Sequence, residues 1–130
     1  MKNMLFSAFV ATVALCSCAP TYTHLNAFLD GKIDTNLYNI KDGYQAVYRN
    51  IVNTGDRCMK EEREDSSIRS NLYTDISKGE IVFYVDNGIV AYAEVIDKAD
   101  ESTLKVYCYQ DRYPGPEIIK KWASGLNVCK

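Results

Sequence analysis

The segment EIVFYVDNGIVAYAEVI, residues 80–96, constrains the fold of this chain more than any other stretch. On both sides of Asp86-Asn87-Gly88, bulky apolar side chains recur at every second position, the period that is typical of strands. Asn and Gly tolerate a positive φ, so this tripeptide predicts a tight hairpin turn between the two runs. We therefore expect an antiparallel strand pair at the centre of the fold.

Two further runs alternate in the same way, SIRSNLY at 67–73 and TLKVYCYQ at 103–110, and a polar turn at 97–102 separates the last two strands. Together the runs predict an antiparallel meander of about four strands. Alternation places Ile89 on the aliphatic face of the predicted sheet and Val90 on the other. That aliphatic face comprises Ile81, Phe83, Val85, Ile89, Ala91, Ala93, Val95, Leu104 and Val106.

A helix is predicted over residues 40–60, where Tyr44, Val47, Tyr48, Ile51 and Val52 form one apolar stripe. Asn39 or Asp42 is expected to cap its start. Gly55 is expected to weaken its second half by up to about 1 kcal/mol, so that the helix frays or bends there.

A second helix is predicted near the end of the sequence, with Pro116 and Glu117 in its first turn and Gly125 as its C-terminal cap. The element order is then α-β-β-β-β-α. Two helices on one face of an antiparallel sheet give a two-layer α+β domain.

The chain begins with Lys2 and an apolar run from Met4 to Leu15. This layout is typical of a secretory signal, because the run is too short to span a bilayer and no charged stop follows it. A buried N-terminal helix is the alternative. Leu15-Cys16-Ser17-Cys18 then resembles the lipobox of bacterial prolipoproteins, in which the final cysteine is lipidated and becomes the first mature residue.

The resemblance implies a palmitate-type lipid anchor on Cys18. A lipobox ending at Cys16 would put the bulky Leu15 beside the cut, and ordinary cleavage after Ala19 would leave Pro20 at the new N-terminus. By the sorting rule of such lipoproteins, Ala19 after the lipidated cysteine implies the outer membrane, facing the periplasm. We therefore divide the chain into a signal peptide at 1–17, a lipidated N-terminus and tether at 18–38, and one domain at 39–130.

Removal of Cys16 and lipidation of Cys18 leave three thiols in an oxidising compartment, where disulfides are expected. Cys58 lies at the end of the first predicted helix, and Cys129 follows the second. If both helices lie on one sheet face, these ends approach, so we predict a Cys58–Cys129 bridge. Cys108 alternates with core residues and is expected to be a buried free thiol; a Cys108–Cys129 bridge is the alternative.

The arrangement also resembles that of small periplasm-facing lipoproteins of uncharacterised activity. Cys58 at a helix end, Trp122 and Gly125 in the final helix, and the terminal Cys129 carry this likeness. It implies no activity.

Sequence features of a catalytic site are sparse. His24 is the only histidine and lies in the predicted tether, which argues against a Ser-His-Asp or Cys-His site. The carboxylate pairs Glu61/Glu62 and Glu64/Asp65 lie in a charged run and are expected to be solvated. No metal or cofactor motif is present in the sequence, and a net charge of −2 without a basic stripe does not favour nucleic acid as a partner. We expect a protein that is not an enzyme.

Tyrosine is abundant, and four side chains alternate onto the face that the helices leave open: Tyr84, Tyr92, Tyr107 and Tyr109. Tyrosine is favoured at interfaces because it buries a large area and keeps a polar tip. These residues are a candidate partner-binding face. Cross-strand aromatic pairing that only stabilises an exposed sheet is the alternative, and we favour it slightly.

These features predict a non-enzymatic lipoprotein of the outer membrane that binds or supports another envelope component. The alternative is a periplasmic enzyme inhibitor or immunity-type lipoprotein that uses the loop DRYPGPE at 111–117. A hydrolase without a recognisable motif is the third and weakest hypothesis.

Overall fold

The predicted hairpin at Asp86-Asn87 is present in the structure, a computed structural model that describes residues 22–31, 33–109 and 111–130. Asp86 and Asn87 have φ angles of 49° and 62°. A turn with two positive φ angles is of type I′, whose twist matches the right-handed twist of the strands that it joins. In chain order the helices and strands are α1 Leu25–Asp30, β1 Asp34–Ile40, α2 Tyr44–Glu62, β2 Ser66–Tyr73, β3 Lys78–Val85, β4 Gly88–Lys98, β5 Glu101–Cys108 and α3 Pro116–Ala123.

The strands form one antiparallel sheet in the order β1-β5-β4-β3-β2. The four predicted strands are β2 to β5. Helices α2 and α3 pack on the face that carries Ile81, Phe83 and Val106, which we call the inner face. The predicted α+β class and antiparallel sheet are confirmed, and α1 adds a small layer on the opposite, outer face.

The fifth strand, β1, comes from the segment that we assigned to the tether at 18–38. It pairs with β5 from Asp34↔Cys108 to Ile40↔Ser102. The folded part therefore begins well before residue 39, and Phe28 is already fully buried. The sequence does not indicate this strand, because β1 lies at the edge of the sheet. Thr35 and Asn39 are exposed there, at positions where a central strand would have apolar residues.

Helix α2 starts later and ends later than predicted. Its N-cap is Gly43, without a side-chain hydrogen bond, so the caps that we expected at Asn39 and Asp42 are wrong. Asn39 belongs to β1, and the Asp42 carbonyl instead accepts a hydrogen bond of 2.6 Å from the buried Ser102 hydroxyl. The helix continues through the buried Gly55 to Glu62 without interruption, so the fraying expected there does not occur.

Helix α3 has the predicted ends. Pro116 lies in its first turn, and Gly125 has a φ of +86° just beyond its last turn. The Gly125 amide donates to the Trp122 carbonyl and the Leu126 amide to the Lys121 carbonyl, each at 2.9 Å. These two bonds form a Schellman motif, which satisfies carbonyls that the helix end would otherwise leave unpaired.

A β-bulge changes which side chains of β4 reach the core. Phe83 pairs with Ala91 but Tyr84 pairs with Ile89, so Val90 is the extra residue on β4. Val90 therefore joins the inner core, and Ile89 joins the outer cluster with Tyr92. Simple alternation had predicted the reverse for Ile89 and Val90, because a strict period of two does not anticipate an inserted residue.

The predicted disulfide between Cys58 and Cys129 is present and joins the end of α2 to the chain terminus. Cys108 is free and fully buried, as predicted. The terminal segment is also held by the Trp122 indole, which donates to the Val128 carbonyl at 2.7 Å. A bridge across 71 positions stabilises the fold by about 4 kcal/mol in the chain-entropy model.

Candidate binding surfaces

The four tyrosines singled out from the sequence lie on the outer face of the sheet. Tyr92 on β4 pairs directly with Tyr107 on β5, and their rings stack with centroids 5.6 Å apart. Lys105 lies 5.1 Å from the Tyr107 ring and Arg69 lies 5.3 Å from the Tyr84 ring. The Tyr92–Tyr107 and Arg69–Tyr84 contacts join neighbouring strands, whereas Lys105 and Tyr107 lie two residues apart on β5. Such side-chain contacts stabilise a sheet whether or not a partner binds.

The tyrosine face is not open, because the segment at 22–33, of which the structure describes 22–31 and 33, folds over it. Phe28 of α1 packs edge-on against Tyr109, with ring centroids 5.8 Å apart, and Tyr92 is only 1% exposed. The Ile89 amide donates a hydrogen bond of 2.7 Å to the Tyr22 carbonyl, which fixes the start of this segment at the hairpin. The expectation of an exposed tyrosine surface is therefore wrong at its centre.

Beside this cover, a charged network holds the Tyr92 hydroxyl on the outer face. The Tyr92 hydroxyl donates to Glu94 at 2.9 Å, and Lys78 lies 3.4 Å from Glu94 and 3.2 Å from Glu80. Burial, and then the hydrogen bond to Glu94, raises the pKa of Tyr92 far above its usual value. Tyr92 thus stays protonated, which makes this network a structural element and a poor acid–base pair.

At the end of the sheet opposite the β3–β4 hairpin, three large apolar side chains remain exposed. Tyr73 and Ile96 flank Lys78 on adjacent strands, and each is 38% exposed. Ile76, in the turn between β2 and β3, is 62% exposed. We call Tyr73, Ile76 and Ile96 the distal patch.

At the hairpin end, a groove of about 440 Å³ lies between the end of α2, the β3–β4 turn and the segment after β5. Its apolar lining includes Met59, Ile89 and Val90, all nearly buried. We call it the hairpin groove. Its lining residues are Met59, Glu62, Arg63, Val85, Asp86, Gly88, Ile89, Val90, Arg112 and Tyr113.

The loop DRYPGPE, the candidate inhibitory loop, packs onto the domain. Pro114 is buried, and the Tyr113 hydroxyl donates to the Cys129 carbonyl at 3.0 Å. Burial, followed by the nearby charges of Glu62 and Glu61, raises the pKa of Tyr113 to about 12. A loop held in this way does not project toward an enzyme cleft.

The structure brings no catalytic groups together among the residues that it describes. His24 is exposed at the start of α1. Glu61 pairs with Arg57 and Asp65 with Arg63, in exposed positions on the end of α2 and beyond. Across 22–31, 33–109 and 111–130 there is no group of three or more His, Cys, Asp or Glu side chains able to hold a metal ion.

The predicted lipidation site Cys18, with Cys16 and Ala19, lies outside the described residues. Within the described ranges no helix is both long enough and apolar enough to cross a bilayer. No protein family, curated protein or solved structure matches this chain significantly.

The sequence did not reveal two features of these surfaces. The apolar residues Leu25, Phe28 and Leu29 signalled that the segment after Cys18 packs on the domain, but not which face it covers. The hairpin groove left no signal, since its walls come from three separate parts of the chain.

Proposed function

We propose that this chain is an outer-membrane lipoprotein, anchored through Cys18 and facing the periplasm, that has no enzymatic activity and binds or supports another envelope component. The lipobox resemblance supports the anchor. The disulfide between Cys58 and Cys129 fits an oxidising compartment.

The observation that carries the proposal is the early return of the chain onto the sheet. Tyr22 is already bound by Ile89 at the hairpin, only four residues after Cys18. Four peptide steps of 3.3–3.6 Å reach at most about 14 Å. A lipid on Cys18 therefore keeps the hairpin end close to the bilayer and directs the distal patch into the periplasm.

The distal patch is the surface that we assign to the partner. Tyr73, Ile76 and Ile96 offer exposed apolar area, and Lys78 lies between two of them. A cluster of exposed large apolar side chains beside polar groups marks a protein interaction site. We therefore place the partner contact not at Tyr92, which is covered, but at the end of the sheet opposite the β3–β4 hairpin. No observation favours the inhibitor hypothesis, because the loop at 111–117 packs against the domain.

The test is crosslinking in intact cells with a photoreactive amino acid at Ile76, followed by mass spectrometry of the captured protein. Leu126, which is 52% exposed on another surface, is the matched control position. We expect one envelope protein to be captured from position 76 and not from 126, and Ile96→Ser to reduce that capture. Equal capture from both positions, or none from position 76, would contradict the proposal.

A further inference from the structure

The hairpin groove lies where the chain arrives from Cys18. Ile89, which lines the groove, holds the Tyr22 carbonyl with its amide. The reach of about 14 Å between Cys18 and Tyr22 brings any lipid attached to Cys18, and the head groups around it, to the rim of this groove.

The groove carries charges of both signs above an apolar floor. Arg63 and Arg112 supply two guanidinium groups, and Glu62 and Asp86 supply two carboxylates. Met59 and Val90 form part of the floor. The groove therefore has no net charge from these four side chains.

Most of this charge is free to bind a ligand. Arg112 lies 4.4 Å from the Tyr109 ring centroid, and among the described residues it has no ion-pair partner. Arg63 bonds Asp65 through Nε and Nη2, which leaves the donors on Nη1. Within the same described ranges neither Glu62 nor Asp86 forms an ion pair.

We propose that the hairpin groove binds the zwitterionic head group of a phosphatidylethanolamine molecule in the anchoring bilayer. Arg63 and Arg112 bind the phosphate, since guanidinium groups match phosphate geometry. Glu62 and Asp86 bind the ammonium group, and the glycerol end lies against Met59 and Val90. An anionic head group would leave both carboxylates unpaired, so the site discriminates by charge. The source of the lipid rests on the proposed anchor.

The test uses the purified mature chain and water-soluble dihexanoyl phosphatidylethanolamine, with dihexanoyl phosphatidylglycerol as the comparison. With the phosphatidylethanolamine, we expect saturable changes in the NMR chemical shifts of the Ile89 and Val90 amides. Binding of the glycerol head group should be about tenfold weaker, as expected when one charge-assisted contact is lost. This readout does not require lipidation of Cys18, so failure of the anchor proposal and failure of the groove proposal are distinguishable.

Arg112→Ala and Arg63→Ala should each weaken binding several-fold, while Lys98→Ala, at the other end of the sheet, should not. Unchanged amide shifts of the distal residues verify that each variant is folded. Equal binding of both lipids, or no effect of either arginine variant, would overturn the proposal. The same shifts with inorganic phosphate alone would also overturn it, because the groove would then be a simple anion site.

Discussion

Gly55 lies where α2 packs against both the sheet and α3. A Cβ atom at this position would lie 3.2 Å from Trp122 Cζ3 and 3.3 Å from both Ile68 Cδ1 and Phe83 Cε1. These distances are shorter than ordinary van der Waals contacts, so the missing side chain allows Trp122 to pack against the helix. The residue that lowers helix propensity is the one that permits the core to close.

Gly55→Val should therefore destabilise the fold by about 2 kcal/mol, because its branched side chain overpacks the contact with Trp122. Gly43→Ser is the matched control, since nothing lies within 4 Å of a Cβ there and a hydroxyl can cap α2. Urea unfolding measures both variants. If Gly55→Val left the free energy of unfolding unchanged, the packing at Trp122 would be looser than described.

Cys108 is the one free thiol among the described residues, and it is inaccessible. Burial, with a smaller contribution from Asp34, raises the pKa of its thiol from 9.0 to about 11. The folded state thus favours the neutral thiol. The resulting stability is fully present below pH 9 and is lost as the pH rises through about 11.

At pH 8.5 the folded, non-reduced protein should therefore not react with iodoacetamide at Cys108, because the thiolate is the reacting form. After unfolding in urea, Cys108 should become the one reactive cysteine among the described residues. Peptide mass spectrometry after labelling identifies the site. Rapid labelling of Cys108 in the native protein would contradict its place in the core.

At the scale of elements, the segment at 22–33 is the least expected part of the fold. Phe28 fills a site between Tyr22 and Tyr109 and is fully buried, although α1 has only six residues. So short a helix is unstable alone. Its order comes from the packing of Phe28 and from the hydrogen bond between Ile89 and Tyr22.

Phe28→Ala should lower the free energy of unfolding by about 3 kcal/mol. If the effect is confined to this segment, the segment should instead be released locally while the rest stays folded. Hydrogen exchange distinguishes the two cases. Exchange at the Ile89 amide becomes faster in both, but exchange in the core becomes faster only if the whole fold is destabilised. Leu37→Ala, at a side chain that is 66% exposed, should change stability by less than about 0.5 kcal/mol. Unchanged exchange at Ile89 in Phe28→Ala would mean that Phe28 does not hold the cover in place.

The elements that could be predicted are those whose signals are local. The turn at Asp86-Asn87, the Gly125 cap and the helical stripe around Ile51 each depend on residues close in sequence. Strand β1 could not be found, because its pairing with β5 joins residues about 70 positions apart and its exposed side needs no apolar residues. The bulge at Val90 was missed because it depends on how β3 and β4 pair.

The candidate site was predicted in part. The shared face of Tyr92 and Tyr107 follows from alternation along the strands. Whether that face is free depends on where the segment at 22–33 packs, and Phe28 alone does not say which surface it will cover. The hairpin groove is assembled from α2, the β3–β4 turn and the loop at Arg112, so no local pattern indicates it.

At the scale of the whole molecule, the position of Tyr22 would hold the hairpin end near the bilayer if Cys18 carries the proposed lipid. The hairpin end, with its groove, lies next to the point where the chain leaves for Cys18, and the distal patch at Ile76 lies at the other end of the sheet. A single lipid-modified cysteine would thus set the distance and orientation of the domain. Under the proposals above, the groove would then meet the bilayer and the distal patch a periplasmic partner.

The most direct test is mass spectrometry of the N-terminal peptide of the protein isolated from the membrane fraction. We predict a mature chain that begins at Cys18, with a diacylglyceryl group on its thiol and an acyl chain on its amine. Cys16→Ser should leave this product unchanged, and Cys18→Ser should abolish it. A mature chain that begins elsewhere, or an unmodified Cys18, would contradict the account.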